Sequence, residues 1–114
     1  MQLRISNVLV ERSSAVLATS SIPDTFRADI DRAIQILKEE GCTEIYVFGS
    51  VATGESRSDS DIDLAVRGCP PSRFFHTLGR LMWELDHPVD IVDLNESSIF
   101  VRYLLGSGEL VRIG

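Results

Sequence analysis

The sequence predicts a single α/β (α+β) domain, a mixed sheet of about four strands backed by helices. Three observations predict it. A chain of 114 residues that is 44% hydrophobic and 25% charged suits one compact core rather than two. Apolar residues recur in turn at helical spacing and in short β-branched runs, giving the order α-β-(turn)-β-α-β-α-β. The link between the strands at 44–48 and 62–66 does not require a helical crossover, so the sheet is expected to be mixed. The chain shows no internal repeat and no low-complexity segment.

Residues 1–22 mix Ile5, Val8, Leu9, Val10, Val16 and Leu17 with Ser and Thr in neither period, and read as an extension ahead of a domain at 23–114. Ser21 and Asp24 form a capping-box pair and Pro23 falls in the first turn of a helix. Phe26, Ile30, Ala33, Ile34 and Leu37 give that helix its apolar face, and Gly41 ends it. Glu44 to Phe48 is a β-branched and aromatic run of strand length, Gly49 to Gly54 suits a tight strand-to-helix turn, and Ile62 to Val66 is a second strand. Gly68, Pro70 and Pro71 break the chain around Cys69. From Ser72 to Leu85 a helix is expected to bury Phe75, Leu78, Leu81, Met82 and Leu85 as one stripe, with Trp83 at its margin. Pro88 starts a third strand, Val89 to Leu94; Ser97 to Leu105 reads as a short helix stopped near Gly106 and Gly108, and Leu110 to Ile113 as a last strand.

Composition narrows the function classes. A net charge of −6 has the wrong sign for a protein whose main task is to hold a nucleic-acid backbone, so direct nucleic-acid binding is not expected. The longest apolar runs, such as Val8 to Val10 and Ile45 to Phe48, are far short of the about 20 residues a membrane helix needs. Cys42 and Cys69 lack a second ligand pair at zinc spacing, and nothing at the N-terminus resembles a secretory signal; a reducing cytoplasm is the expected compartment.

The chemistry concentrates in three aspartates. Asp61 and Asp63 bracket Ile62, and on a strand such i and i+2 side chains leave one face about 6.6 Å apart at the backbone, within reach of one divalent ion. Ile62 and Leu64 then anchor the opposite face in the core. Asp90 repeats the pattern between Val89 and Ile91. Three ionised carboxylates within roughly 5 Å repel pairwise by about 3 kcal/mol at an effective dielectric near 20. Such a cluster calls for a hard cation, Mg²⁺ or Mn²⁺. Upstream, Gly49-Ser50 follows a strand, and ten residues separate Ser50 from Asp61. Chance matches to that combined pattern arise on the order of once in a thousand chains of this length. Glycine lets backbone approach a phosphate closely, with the Ser50 hydroxyl beside it.

Competing motifs fail on chemistry. Gly49 to Ser56 matches a P-loop except that Glu55 stands where the phosphate-binding Lys must be. Asp59, Asp61 and Asp63 begin like an EF-hand, but Leu64 replaces the turn Gly and Pro70 the bidentate Glu. His76, His87, Cys42 and Cys69 have no ligand-spaced or activating neighbours and read as structural or surface residues, as Arg57 reads as a solvated loop cation. Asp93 falls on the strand face opposite Asp90.

Val47-Phe48-Gly49-Ser50, Gly54, Ser60 to Val66 and Pro88 to Val92 together resemble the polymerase β-like nucleotidyltransferases, and specifically their minimal branch, over roughly residues 25 to 113. The resemblance implies that fold, with Gly49 and Ser50 binding the nucleotide triphosphate, Asp61 and Asp63 binding Mg²⁺, and Asp90 completing the metal site and helping to deprotonate an acceptor hydroxyl. It implies transfer of a nucleoside monophosphate, AMP from ATP, to a hydroxyl. The minimal branch is similar to antitoxins that pair with an all-helical HEPN ribonuclease toxin and attach AMP to a toxin tyrosine, so a HEPN-type toxin is the expected partner. Two alternatives accompany this reading: an antitoxin acting by binding and occlusion, favoured by Val51 and Thr53 where many members carry basic residues, and nucleotidylation of a small molecule such as an antibiotic. The apolar set in residues 1–22 has three candidate roles, covering the sheet, a second copy of the chain or the partner, so a homo-oligomer is one of the arrangements left open.

Overall fold

The computed structural model describes residues 22–57 and 59–114. Helix α1 (Asp24–Glu39) buries Phe26, Asp29, Ile30, Ala33, Ile36 and Leu37, one helical stripe with a single carboxylate in it. Its N-cap is Pro23, with no side-chain cap. Instead, Arg27 closes the first turn, donating to the Ile22 carbonyl at 3.0 Å and to Asp24 at 3.3 Å. The capping-box expectation placed its oxygen on Ser21, which lies outside the described residues, as do residues 1–20 of the expected extension. Ile22, assigned by sequence to that extension, is only 2% exposed and packs in the domain core.

Strands β1 (Glu44–Phe48), β2 (Ile62–Arg67), β3 (Val89–Asp93) and β4 (Val111–Arg112) form one sheet in the order β3-β2-β1-β4. β1 runs antiparallel to both β2 and β4, while β2 and β3 are parallel, so the sheet is mixed as expected. Between β1 and β2 sits the short helix α2 (Gly49–Thr53), ended by Gly54 in the left-handed region. A 3₁₀ turn at Pro71–Arg73 leads into α3 (Phe74–Glu84), the crossover that a parallel pair requires. Helix α4 (Ile99–Ser107) begins at Ser98, whose hydroxyl accepts from the Val101 N–H at 3.1 Å.

Strand alternation divides the side chains between two faces. Ile45, Val47, Ile62, Leu64, Val66 and Val89 join the buried stripe of α1 and Leu81 and Leu85 in the main core. On the other face Ala65 packs with Leu94 and Val101, flanked by Tyr46, Phe48, Val92 and Leu110. Helices therefore cover both faces, with α1 and α3 on one and α4 on the other.

Two expectations are corrected. Phe75 and Met82 were placed on the buried stripe of the helix expected from Ser72 to Leu85, yet they are 83% and 65% exposed, and Trp83 is 90% exposed. The buried positions of α3 are Thr77 and Leu81. Ion pairs to α1 set that rotation: Arg80 meets Glu39 and Glu40 at 3.1 Å each, Arg73 meets Glu40 at 2.8 Å, and Arg32 pairs with Glu84. Glu40 is 9% exposed and needs those cations facing it, so Phe75 and Met82 turn outward. The cysteines were read as separate structural or surface residues. In the structure Cys42 and Cys69 form a disulfide, two residues beyond the Glu44–Arg67 pair on the same antiparallel register. Facing positions that close on an antiparallel ladder bring two cysteines into bonding range, a proximity invisible before the strands are paired.

Candidate active site

The sheet registers assemble the site. Phe48 on β1 faces Asp63 on β2, and Asp63 faces Asp90 on β3, so the three form one row across adjacent strands. Strands about 4.8 Å apart put neighbouring members of such a row side by side on one face. That face is the one covered farther along by α4, where Tyr46, Ala65 and Val92 continue the pattern. Asp61, two residues before Asp63 and just ahead of β2, leaves the strand toward the same face.

Asp63 is half-buried, whereas Asp61 and Asp90 are exposed. Burial, then the neighbouring charges of Asp90 and Asp61, push the Asp63 carboxyl above its ordinary value. The local cause is visible in the sequence alternation: Ile62 and Leu64 are fully buried on the other face and pin the strand, leaving Asp63 no freedom to turn away from its neighbours.

Gly49 closes against the acid. Its φ of +73° lies in the left-handed region, and a Cβ there would stand 2.5 Å from Asp63 Oδ2, so only glycine lets the start of α2 lie on that carboxylate. Ser50 follows, half-buried, in the first turn of α2. Its carbonyl accepts from the Glu55 N–H at 3.0 Å and from the Thr53 hydroxyl at 3.2 Å, which ties down the end of the turn. The sequence-predicted residues Gly49, Ser50, Asp61, Asp63 and Asp90 thus lie at one end of the sheet.

Among the described residues no three His, Cys, Asp or Glu side chains are already gathered in an arrangement that would hold a metal ion. The donor chemistry nevertheless fits one. Asp63 feels the charge of both other aspartates, and carboxylate oxygens are the ligands that Mg²⁺ and Mn²⁺ prefer.

Other residues fall where the sequence reading left them. The side chain of Asp93 accepts from the Asn95 N–H at 2.9 Å and caps the turn after β3, while its register partner is Val66 on the far face. Gly49 to Ser56 opens as a helix rather than a phosphate loop, and Ile62–Arg67 is a strand rather than a calcium loop. Arg57 is exposed, and its N–H donates to Ser60 Oγ at 2.8 Å.

Two features escaped the sequence reading. Phe100 on α4 meets Phe48 edge-on at 6.2 Å, an aromatic wall beside the acid row that depends on α4 folding back. Asp29 is buried on α1 beneath the entry to β3. The available signal was its spacing, an acid three residues from Phe26 and four from Ala33 on an otherwise apolar stripe.

No curated protein matches the sequence. A chain of a toxin–antitoxin crystal structure with AMP-PNP is 26% identical, with a TM-score of 0.62, over 74% of this chain and 71% of that one. A re-refined structure of a tri-AMPylated Shewanella oneidensis HEPN toxin in complex with MNT antitoxin contains a chain 25% identical, with a TM-score of 0.57, over 77% and 71%. The toxin–antitoxin MntA-HepT structure shares the fold at 22% identity and a TM-score of 0.58, over 77% of this chain and 71% of that chain. The polymerase beta nucleotidyltransferase family model matches residues 31–112, which include the acid row and the Gly49-Ser50 turn. On that match, which spans well over half of its length, the chain belongs to the polymerase β nucleotidyltransferase family.

Proposed function

We propose that this chain is the antitoxin of a two-component module and acts by transferring a nucleoside monophosphate, AMP from ATP, to a tyrosine hydroxyl of a HEPN-type toxin. The observation that carries the chemistry is the register that sets Asp90 directly beside Asp63, with the Gly49 backbone closed on the same carboxylate. Similarity to chains from toxin–antitoxin structures, one with AMP-PNP and one with a tri-AMPylated HEPN toxin, supports the nucleotide and the partner.

In this reading Gly49 and Ser50 receive the triphosphate, and Asp90, exposed at the edge strand, takes the proton from the acceptor hydroxyl. The acceptor oxygen bonds to the α-phosphorus as the bond to the β-phosphate bridging oxygen breaks, and pyrophosphate leaves. A divalent metal would be held by Asp61, Asp63 and Asp90 and would neutralise the phosphate charge. The raised Asp63 carboxyl marks where positive charge is wanted. Among the described residues no helix is long and apolar enough to cross a membrane, and a cytoplasmic location goes with this reading.

Incubating the wild type and Asp63→Asn with α-³²P-ATP, Mg²⁺ and a lysate of the source organism tests it. The expected result is a labelled protein band that is lost in the variant and on chelation. A second reading, inhibition by occlusion alone, is favoured by the composition of α2, Gly49–Thr53, which carries no basic residue. An Asp63→Asn variant that still neutralises the toxin, beside a wild type that labels nothing, would establish that second reading.

A further inference from the structure

Asp29 is 6% exposed and stands in the middle of the apolar stripe of α1. Its carboxylate accepts three hydrogen bonds: from the Asp86 N–H at 3.1 Å, from the His87 N–H at 2.8 Å and from His87 Nδ1 at 2.7 Å. The His87 ring also lies against Phe26, with centroids 4.4 Å apart. Burial pushes the Asp29 carboxyl up, but the bonds from His87 and Asp86 outweigh it and hold the group below its ordinary value. An apolar residue would continue the stripe but leave two backbone N–H groups of the α3–β3 connection without this acceptor.

That connection leads straight into the acid row. The next residue, Pro88, accepts the Ile62 N–H at 2.8 Å, which is the first rung between β2 and β3, and Asp90 then falls opposite Asp63. Because β3 is an edge strand, its register rests on β2 alone and on how its ends are held. A slip of one residue would turn Asp90 to the far face and bring Val89 or Ile91 opposite Asp63.

We infer that Asp29 is a positioning residue for this site: by gripping the Asp86 and His87 amides it fixes where β3 enters the sheet, and so sets Asp90 beside Asp63. The transfer reading enters only through the kinetic part of the test. Asp29→Asn keeps the volume but replaces one of the two carboxylate oxygens with an NH2 donor, so one of the two backbone N–H groups loses its acceptor. In metal-free protein, amide exchange at Ile62 and at residues 89–91 is expected to quicken about tenfold or more, with Tyr46 and Val47 on β1 changing by less than about twofold. In transfer assays kcat should drop about tenfold while KM for ATP stays within about threefold, since Gly49 and Ser50 do not rely on this clamp. His87→Phe preserves the ring against Phe26 and both backbone bonds, so the same localised change should appear at smaller size. It carries the exchange test if Asp29→Asn fails to fold. Exchange that rises evenly over the whole sheet, or is unchanged at Ile62 and 89–91 in the folded variants, would overturn the inference, as would an unaltered kcat. A wild type that transfers nothing would sink the proposed function, while the exchange pattern would still decide the role of Asp29.

Discussion

Removing the charge of Asp63 should make the protein more stable and catalytically silent. Asp90 is its register neighbour on the adjacent strand, a separation of about 5 Å, where two unit charges repel by about 0.8 kcal/mol in water and about 3 kcal/mol at an effective dielectric of 20. Asp90 and Asp61 are exposed, so the lower figure is the better guide for each pair, whereas the half-buried Asp63 adds its own desolvation. Together these give roughly 1 to 2 kcal/mol of relief in Asp63→Asn, or about 4 to 8 °C in Tm for each kcal/mol in a domain of this size. The assay is urea unfolding in EDTA at pH 7.5, where the midpoint should rise with an unchanged slope. The sign of the pH dependence follows from the raised carboxyl. Between the unfolded value near 4 and the higher folded value, the native state binds more protons, so wild-type stability falls as pH rises through that window. Asp63→Asn lacks this contribution, and its advantage should vanish by about pH 4. Saturating Mg²⁺ or Mn²⁺ should stabilise the wild type more than the variant, by about 2.7 kcal/mol at a hundredfold excess over Kd if the variant does not bind. A variant less stable than wild type at pH 7.5, or an advantage that persists unchanged at pH 4, would refute the reasoning.

Further outcomes follow from other parts of the fold. Gly49→Ala should cost about 1 to 2 kcal/mol for the left-handed backbone and also abolish transfer through its clash with Asp63 Oδ2. Gly54→Ala, with a similar φ but open space around it, should show the stability loss in urea and keep transfer. The disulfide closes a loop of 27 residues that contains both Gly49-Ser50 and Asp61–Asp63, so the Cys42→Ser/Cys69→Ser double variant should lose about 3.5 kcal/mol in chemical denaturation. Dithiothreitol should reproduce that loss, and transfer per folded molecule should not change, because the bridge lies at the opposite end of β1 and β2 from the acid row. Hydrogen bonds from Arg73 and then Arg80 hold the Glu40 carboxyl below its ordinary value, so the stability it contributes is present above about pH 4.5 and lost as pH falls through its folded value. Acid titration of Glu40→Gln by circular dichroism should show a shallower loss than wild type below that pH.

What the sequence by itself determined was local and periodic. Helical spacing from Phe26 to Leu37, strand patterning in Glu44 to Phe48 and Ile62 to Val66, and the bracketing of Ile62 by two acids each depend on one element, whose geometry repeats along the chain. The acids were legible because a strand buried on one face must present Asp61 and Asp63 on the other. Tertiary structure decided what depends on two elements meeting. Asp90 joins Asp63 only through the parallel register of β3, and Cys42 meets Cys69 only because their strands are antiparallel. The outward turn of Phe75 and Met82 was hidden for the same reason. A helical wheel of α3 contains those residues but not the carboxylate of Glu40 at the C-cap of α1, whose ion pairs with Arg73 and Arg80 fix which side of α3 faces inward. Asp29 shows the limit most sharply: within α1 it is a polar interruption of an apolar stripe, and its purpose exists only where the chain returns, many residues later, to offer it the amides of Asp86 and His87.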